Sequence, residues 1–532
     1  MSFFLKLLYS LSLFTATVLP TVASSTGSSD KIYGVNIGSW LLIEPWMLPE
    51  EWLAMGGEIC DDCSGCIRTE FALVEAYPDT ADKVFEQHWN TWFTQDDVDK
   101  LVELKINAVR IPLGYWIVEQ LVDRKTEFYP KGGFKHLKRG LRQLKDAGIK
   151  VMLDHHALPG VQTPNQMFAG VCTTDVQFYT DYNYHRALVW SAVMAAMSHL
   201  DPDFGSVYSI EAVNEPIMNA TQTPGYGDFQ KNFVSVVRAV ETGLGIVSDY
   251  FSGNLPVHTT SGPLNVTSAI LDVDGVITNV AVGKAIIDAA PIIAQMLWEY
   301  DIDVIVPGSD LASKNPLNTT FMDIGWQYNN PPNPADAANG PQDYDNHLYY
   351  NFGGVADANA DAYLQSMCNL ERISSDAAQG NSPLVFGEWS IATNFDHSDD
   401  FYKKWGDAQK RSYSMGGGWM FWNFKIENSE TAGSLSNTWS YFDAVERGFL
   451  TKDPSELFDP HVCDAYIGTS TTSTTASSTA ASSTETSSTA TSSAEASSIT
   501  TSSTVISSAA ITSTEVSSTV TSSTATSFTV FI

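Results

Sequence analysis

The chain has 532 residues and a formal net charge of −32, with 61 acidic against 29 basic side chains. An acidic surface of this kind repels the phosphates of nucleic acids, so we expect no nucleic-acid partner. The length fits one barrel-sized domain with appendages at its ends.

The first 23 residues have the pattern of a secretory signal peptide. Residues 3–19 are largely apolar with one positive charge, Lys6, and the small residues of "TVASS" follow. A membrane anchor is the alternative, but the segment is short for a spanning helix, and we find no other stretch apolar enough to span a bilayer. We therefore expect a secreted, extracellular protein, free or associated with the cell wall, monomeric and without a stable membrane span.

Between about residues 31 and 466, helical stretches alternate with short apolar runs. "TQDDVDKLVELK" and "FKHLKRGLRQLKDAG" have apolar residues at helical spacing, and each precedes a candidate strand. Strands that alternate with helices form a mostly parallel sheet. The candidate strands in chain order are "YGVNIGSW", "NAVRIPLGYW", "IKVMLDHH", "VYSIEAVNEP", "DVIVPGS", "DNHLYYNF", "SPLVFGEWS" and "GGWMFWNF".

Eight strand–helix units predict an α/β fold, a (β/α)8 TIM barrel with long loops over residues 24–466. A doubly wound open sheet is the alternative, but no glycine-rich phosphate loop follows the first strand. Residues 226–300 are too many for one crossover, so we expect an inserted helical element there.

Residues 467–532 consist mainly of Ser, Thr, Ala and Val. Such a composition cannot bury a core, which predicts a disordered, O-glycosylated stalk. The final apolar run, "FTVFI", is shorter than the tail of a lipid-anchor signal. Three sequons, at Asn219, Asn265 and Asn318, predict surface glycans on the barrel.

The six cysteines are Cys60, Cys63, Cys66, Cys172, Cys368 and Cys463. The first three lie close together in "CDDCSGC", a spacing also found in zinc sites. A secretory route and the lack of a nearby histidine at ligand spacing favour disulfides, whose connectivity stays open.

Two glutamates are predicted at strand ends, where barrel enzymes place their chemistry. Glu215 follows Asn214 at the end of the fourth strand, and Glu388 ends the seventh. Each alone is more simply explained as a capping or salt-bridged residue. A pair of carboxyl groups, one protonated and one ionised, is what glycoside hydrolysis requires.

Further strand-end side chains surround this pair in the predicted barrel: Arg110, His156, Asn214, His347, Tyr349 and Trp422. Asn214 can bind a sugar hydroxyl, Tyr349 can donate to the nucleophile, and Arg110 can keep it charged. Core packing is the alternative for the tryptophans, and a buried hydrogen-bonded histidine is the alternative for His156. We expect neither a metal nor a cofactor.

Several segments carry a resemblance to glycoside hydrolase family 5, and most of all to its fungal exo-β-1,3-glucanase branch. They are "GVNIGSWLLIEPWM", "HWNTWFTQDDV", "NAVRIPLGYWIVE", "VMLDHHALPG", "IEAVNEP", "FGEWS" and "WMFWNFKIE", and they span residues 33–427 in order. The resemblance implies a retaining mechanism with Glu215 as acid/base and Glu388 as nucleophile, and it places the six further residues at supporting positions of the family.

The function expected from this resemblance is an exo-acting β-1,3-glucosidase of fungal cell-wall glucan. The alternatives are a relative that cleaves another β-glucoside, such as β-1,6-glucan or a glycolipid, and a glucan-binding protein without catalysis. A retaining enzyme would hold the carboxyl groups of Glu215 and Glu388 about 5–5.5 Å apart.

Overall fold

The computed structural model describes residues 31–60, 65–246, 277–302, 314–326 and 333–467. Within them a closed barrel of eight parallel strands follows the chain order, and the last strand pairs with the first through Ile32 and Gly418. The predicted TIM barrel is therefore confirmed. The strands are β1 Ile32–Asn36, β2 Ala108–Gly114, β3 Lys150–Ala157, β4 Val207–Glu211, β5 Asn318–Met322, β6 Gln342–His347, β7 Leu384–Glu388 and β8 Gly418–Phe421.

The fifth strand differs from the prediction. We expected "DVIVPGS", residues 303–309, which lie outside the described residues. The strand between β4 and β6 is Asn318–Met322, which pairs with both of them. The segment "NTTFM" is short, and three of its five residues are polar, so it lacks the apolar run by which the other strands were recognised. Its two threonines are buried. One of them, Thr320, shares a hydrogen bond of 2.6 Å with Ser209 of β4 inside the barrel.

The helices pack outside the strands. They are α1 Pro49–Met55, α2 Glu70–Ala76, α3 Ala81–Trp92, α4 Gln95–Glu103, α5 Gly133–Asp146, α6 Asp181–Leu200, α7 Tyr226–Gly243, α8 Val280–Glu299, α9 Ala360–Cys368, α10 Arg372–Ala377, α11 Asp399–Tyr413, α12 Ser436–Trp439 and α13 Tyr441–Glu446. Most of the apolar core lies between this layer and the outer face of the barrel.

The barrel interior is apolar at one end and polar at the other. A small separate cluster of Ile32, Ala108, Met152, Val385 and Met420 fills the interior. Two residues further along their strands, the side chains of Arg110 and Asp154 point into the same interior and are fully buried. The strands thus carry an apolar plug and, towards their carboxyl ends, a layer of charged groups.

The expected inserted helical element is present as α8, which packs against α6 and α7. Among helices in the described part of the chain, α8 is the one whose length and composition would allow it to cross a membrane. By that test our expectation that no further stretch is apolar enough was wrong. A core helix of a soluble protein can pass the same test. The absence of a stable membrane span therefore stays a prediction.

Disulfides are confirmed for the five cysteines within the described residues. Cys60 pairs with Cys66, and Cys368 at the end of α9 pairs with Cys463. Cys172 is disulfide-bonded as well.

One of the predicted glycosylation sites does not fit the barrel. Asn318 begins β5, and its amide nitrogen donates to Asp343 at 2.6 Å, so it is not the free surface position that a glycan needs. Asn219 is exposed, whereas Asn265, residues 1–23 and residues 468–532 lie outside the described residues.

Candidate active site

All eight predicted site residues lie together at the carboxyl ends of the strands. Glu215 stands four residues beyond β4, in a turn rather than in the strand itself. Its backbone has φ of +42°, a left-handed conformation that costs a non-glycine residue about 1–3 kcal/mol. The surrounding loops must therefore hold this turn in place.

Two residues from the loop after β3 provide that support. The amide nitrogen of Gln162 donates to the carbonyl of Asn214 at 3.1 Å, just before Glu215. On the other side, the Tyr179 hydroxyl accepts from the backbone N–H of Ile217 at 2.8 Å and donates to the carbonyl of Gln162 at 2.9 Å. The turn that presents Glu215 is thus clamped on both sides by buried polar groups that the sequence analysis missed.

Glu388 ends β7 and is held by two donors. Arg110 Nη1 donates to its Oε1 at 2.8 Å, and the Tyr349 hydroxyl donates to its Oε2 at 2.9 Å. The preceding Gly387 is required by close packing, because a Cβ there would lie 2.0 Å from Oδ2 of Asp345. The predicted contact between Tyr349 and Glu388 is confirmed.

The two glutamates are close together. His347 Nδ1 lies 2.7 Å from Oε1 of Glu215 and 3.4 Å from Oε2 of Glu388. Oxygens of the two carboxyl groups lie within 4.8 Å of each other. One oxygen of each carboxyl group thus lies close to the other group, which favours the shorter separation of a retaining pair over the roughly 6.5–9.5 Å of an inverting pair.

Charges in the barrel interior decide the protonation states. Burial alone would lower the pKa of Arg110, but Asp154, Glu211, Glu388 and other nearby carboxylates raise it well above its usual range. Likewise, burial lowers the pKa of His347, but Glu388 and Asp345 outweigh it and raise the pKa well above 6.5. Arg110 is therefore charged, and Nδ1 of His347 donates to Oε1 of Glu215.

The pKa values of the carboxyl groups depend on the same two effects, burial and the charges of neighbouring groups. Burial raises the pKa of Glu388, while His347 and Arg110 oppose that rise. Burial also raises the pKa of Glu211 above its usual range, and the charge of Arg110 opposes that rise. Its Oε2 accepts from Arg110 Nε at 2.8 Å, which leaves Nη1 of the guanidinium aimed at Glu388.

Three further predicted residues form one side of the site. Nδ1 of His156 donates to Asp154 at 2.6 Å, and its Nε2 accepts from Nδ2 of Asn214 at 3.4 Å. Oδ1 of Asn214 accepts from Arg110 at 2.7 Å. The ring of Trp422 stacks on that of His156 with centroids 5.7 Å apart and thus forms an apolar surface beside the carboxyl pair.

The sequence analysis also missed Glu44, in the loop after β1. It is buried, accepts from Trp46 Nε1 at 2.9 Å, and is close enough to interact electrostatically with His156, Glu388 and Glu215. Burial raises its pKa to about 7. Its only signal in the sequence is a carboxylate within "GSWLLIEPWM", which follows a strand end as Glu215 does.

This arrangement suits acid–base and nucleophilic chemistry on a polar substrate. Glu215, His347 and Glu388 have atoms close enough to bind a metal ion. The 2.7 Å contact between His347 Nδ1 and Glu215 is also that of an ordinary hydrogen bond to a carboxylate. A donor between two carboxyl groups is the simpler description of the cluster.

Comparison with known proteins identifies the family. The family model described as Cellulase (glycosyl hydrolase family 5) matches residues 76–428. Glucan endo-1,6-beta-glucosidase B of Emericella nidulans is 31% identical over 447 residues, which cover 82% of this chain and 89% of that protein. Probable glucan 1,3-beta-glucosidase A of Aspergillus fumigatus is 30% identical over 242 residues, covering 43% and 52%.

Solved structures agree on the fold. Rutinosidase from Aspergillus niger matches with a TM-score of 0.50 at 18% identity, covering 79% of this chain and 97% of that one. The family model and the endo-1,6-beta-glucosidase each match more than half of this chain, and these matches establish its family. This chain belongs to glycosyl hydrolase family 5 and is a glucan-hydrolysing enzyme.

Proposed function

We propose that the protein is an endo-acting β-1,6-glucanase that retains anomeric configuration. The observation that carries the mechanism is the short distance between Glu215 and Glu388, with oxygens within 4.8 Å. The linkage is supported by relatives named as endo-1,6-beta-glucosidases, which match over 76–84% of this chain.

The expected exo-β-1,3-glucosidase activity has weaker support than its β-1,6 alternative. Relatives named as 1,3-beta-glucosidases match over 41–43% of the chain. The third possibility, a glucan-binding protein without catalysis, does not fit an enzyme family whose carboxyl pair is intact in this chain.

In the proposed first step, the carboxylate of Glu388 attacks the anomeric carbon of a glucosyl unit. The glycosidic C–O bond breaks, and Glu215 protonates the departing oxygen. In the second step, Glu215 takes a proton from water, whose oxygen attacks the same carbon and releases Glu388. Two inversions leave the product with the β-configuration of the substrate.

The neighbouring groups fit these roles. Arg110 and Tyr349 donate to Glu388, which favours the ionised form that a nucleophile needs. His347 contacts both glutamates and balances the negative charge that moves between them during the reaction. We assign Asn214 and His156 to sugar hydroxyls and Trp422 to the apolar face of a sugar ring.

Secretion fits a substrate in the cell wall. We propose residues 1–23 as a signal peptide and residues 467–532 as a glycosylated stalk. The confirmed disulfides support the signal peptide indirectly, because disulfides are typical of secreted proteins.

Linkage is tested by digesting linear β-1,6-, β-1,3- and β-1,4-glucans with the purified chain. We expect turnover of the β-1,6-glucan with a ladder of oligosaccharides as early products. Glucose as the sole early product would contradict endo action, and preferential cleavage of β-1,3-glucan would contradict the linkage.

The mechanism is tested separately by proton NMR in the first moments of hydrolysis and with Glu388→Gln. We expect the β-anomer first, and a loss of at least about 10²-fold in turnover with unchanged thermal stability. An α-anomer or near-normal turnover in the variant would overturn the assignment.

A further inference from the structure

A pocket lies on the protein away from the carboxyl groups of Glu215 and Glu388. It has a volume of about 220 Å³ and is formed where the loop after β2 meets the end of α8. Ile117 and Met296 are its buried apolar members, and Gln120, Gln295 and Glu299 bring polar side chains to it. Because the loop follows the carboxyl end of β2, this pocket opens at the same end of the barrel as the active site.

The polar side chains of this pocket are available to a ligand. Gln120, Gln295 and Glu299 are exposed, and their side chains make no hydrogen bond to any residue in the described part of the chain. Glu119 accepts from the N–H of Gly132 at 2.7 Å and adds a fixed carboxylate. Its other carboxylate oxygen lies 3.6 Å from Nη2 of Arg124. The exposed carboxamides of Gln120 and Gln295 and the carboxylate of Glu299 suit the hydroxyl groups of a neutral ligand.

Aromatic surface adjoins these groups. Tyr300 lines the pocket and packs on Phe134 with ring centroids 4.8 Å apart. Trp298 is 83% exposed, and it stands three residues after Gln295, so the two side chains are neighbours on the surface of α8. An indole so exposed gains nothing from the core, and flat aromatic faces beside hydrogen-bonding groups are suited to sugar rings.

We infer that this pocket and Trp298 form an accessory binding site for a glucan chain outside the catalytic cleft. The ligand class is a neutral β-glucan segment of a few sugar units, which stacks on Trp298 and hydrogen-bonds to Gln120, Gln295 and Glu299. The inference rests on the enzyme acting on a polymeric glucan and is independent of which linkage it cleaves. Its effect is to hold polymer near the active site, so short substrates do not need it.

The test uses the full chain with Trp298→Ala and with Gln120→Ala combined with Gln295→Ala. All three side chains are exposed, so the variants should fold. We expect KM for β-1,6-glucan polymer to rise about threefold to tenfold with kcat unchanged, while kcat/KM for a short β-1,6-oligosaccharide stays the same. In the Glu388→Gln background, the fraction bound to insoluble glucan should fall in parallel.

Tyr182→Ala is the matched control, because this aromatic residue is 65% exposed and does not line the pocket. It should leave both substrates unaffected. Equal polymer binding and KM in the parent and the pocket variants would overturn the inference, as would an equal loss on the oligosaccharide. If the proposed linkage is wrong, the parent itself fails on β-1,6-glucan, and the same comparison is made with the polymer that the parent hydrolyses.

Discussion

The protonation of Glu388, the proposed nucleophile, depends on two opposing effects, burial and hydrogen bonding. Burial favours the protonated form of Glu388 and raises its pKa, whereas two donors favour the charged form. The Tyr349 hydroxyl is a dependable donor, because burial and the charge of Glu388 raise its pKa well above 10. Removal of either donor should shift the balance towards a protonated, inactive carboxyl group.

Tyr349→Phe removes one of these donors without changing the ring. A hydrogen bond to a charged group contributes about 1.5–3 kcal/mol, so kcat/KM should fall roughly tenfold to a hundredfold. The pKa of Glu388 should rise, which moves the acidic limb of the pH–rate profile to higher pH. Steady-state kinetics from pH 4 to 8 would measure both effects.

The adjacent Tyr350 is a matched control, because its hydroxyl bonds to Ser366 rather than to Glu388. Tyr350→Phe should keep the parent profile. A Tyr349→Phe enzyme with the parent profile would refute the role given to this hydroxyl.

Glu211 provides a second test at the residue scale. Burial raises its pKa, which favours the neutral carboxyl group, and Gln is an isosteric substitute that still accepts from Arg110 Nε. Glu211→Gln should therefore retain turnover within about fivefold, in contrast to Glu388→Gln. A loss comparable to that of Glu388→Gln, with a folded protein by circular dichroism, would show that Glu211 works as an anion.

At the scale of elements, the loops after β3 and β4 form one unit. Tyr179 and Gln162, from the loop after β3, bond the backbone on both sides of Glu215. A left-handed residue such as Glu215 persists only where its surroundings hold it. The barrel brings the strand ends together, and these two side chains set the direction of the acid/base.

Tyr179→Phe should weaken this unit. It leaves the N–H of Ile217 and the carbonyl of Gln162 without their partner, which should lower the free energy of unfolding by about 1–3 kcal/mol. We expect kcat to fall more than KM changes, because Glu215 loses its orientation. Thermal melts and steady-state kinetics would be compared.

Tyr184→Phe is the control for this prediction. Its ring packs in the same aromatic group, but its hydroxyl donates to the carbonyl of Pro224, away from the turn. It should lose stability without a loss of kcat. Equal kcat losses in both variants would argue against a specific role for the turn.

At the scale of the whole molecule, several buried carboxyl groups prefer to be neutral. Burial raises the pKa of Glu70 to about 8, of Asp323 to about 8 and of Glu44 to about 7. The folded chain thus binds more protons than the unfolded chain around neutral pH, so its stability falls as pH rises. His136 and His155, whose pKa values are lowered by burial to about 4 and about 3, oppose this trend only below about pH 6.5, where the unfolded state binds their protons.

Glu70→Gln should reduce this pH dependence. Gln can still accept from the N–H of Ile43, as Oε1 of Glu70 does at 2.8 Å. Between pH 6.5 and 7.5 the parent should lose roughly 1 kcal/mol of unfolding free energy through Glu70 alone, and the variant should lose that much less. Denaturant unfolding at the two pH values would measure the difference.

Glu86→Gln is the control, because Glu86 is exposed beside Lys135, its pKa is lowered, and it is ionised throughout this range. Its pH dependence should match that of the parent. A parent more stable at pH 7.5 than at 6.5 would contradict the prediction.

The sequence alone was sufficient to predict the fold class and to predict that the eight candidate site residues meet at one end of the barrel. Helices and strands alternate in patterns set by local periodicity, and a parallel barrel must bring the carboxyl ends of its strands together. Any polar residue at such an end, such as Glu215 or Glu388, therefore lies near the others at the carboxyl-terminal end of the barrel. That reasoning requires no knowledge of which side chains touch.

Only the tertiary structure decided the features that depend on long-range contacts. The strand Asn318–Met322 is polar in sequence and becomes a strand because β4 and β6 pair with it on both sides. Folding brings distant segments together. Glu44 therefore lies near the carboxyl pair, and Cys368 forms a disulfide with Cys463. The raised pKa of Glu211 likewise arises from burial beside other carboxyl groups, and burial and proximity are properties of the folded chain rather than of local sequence.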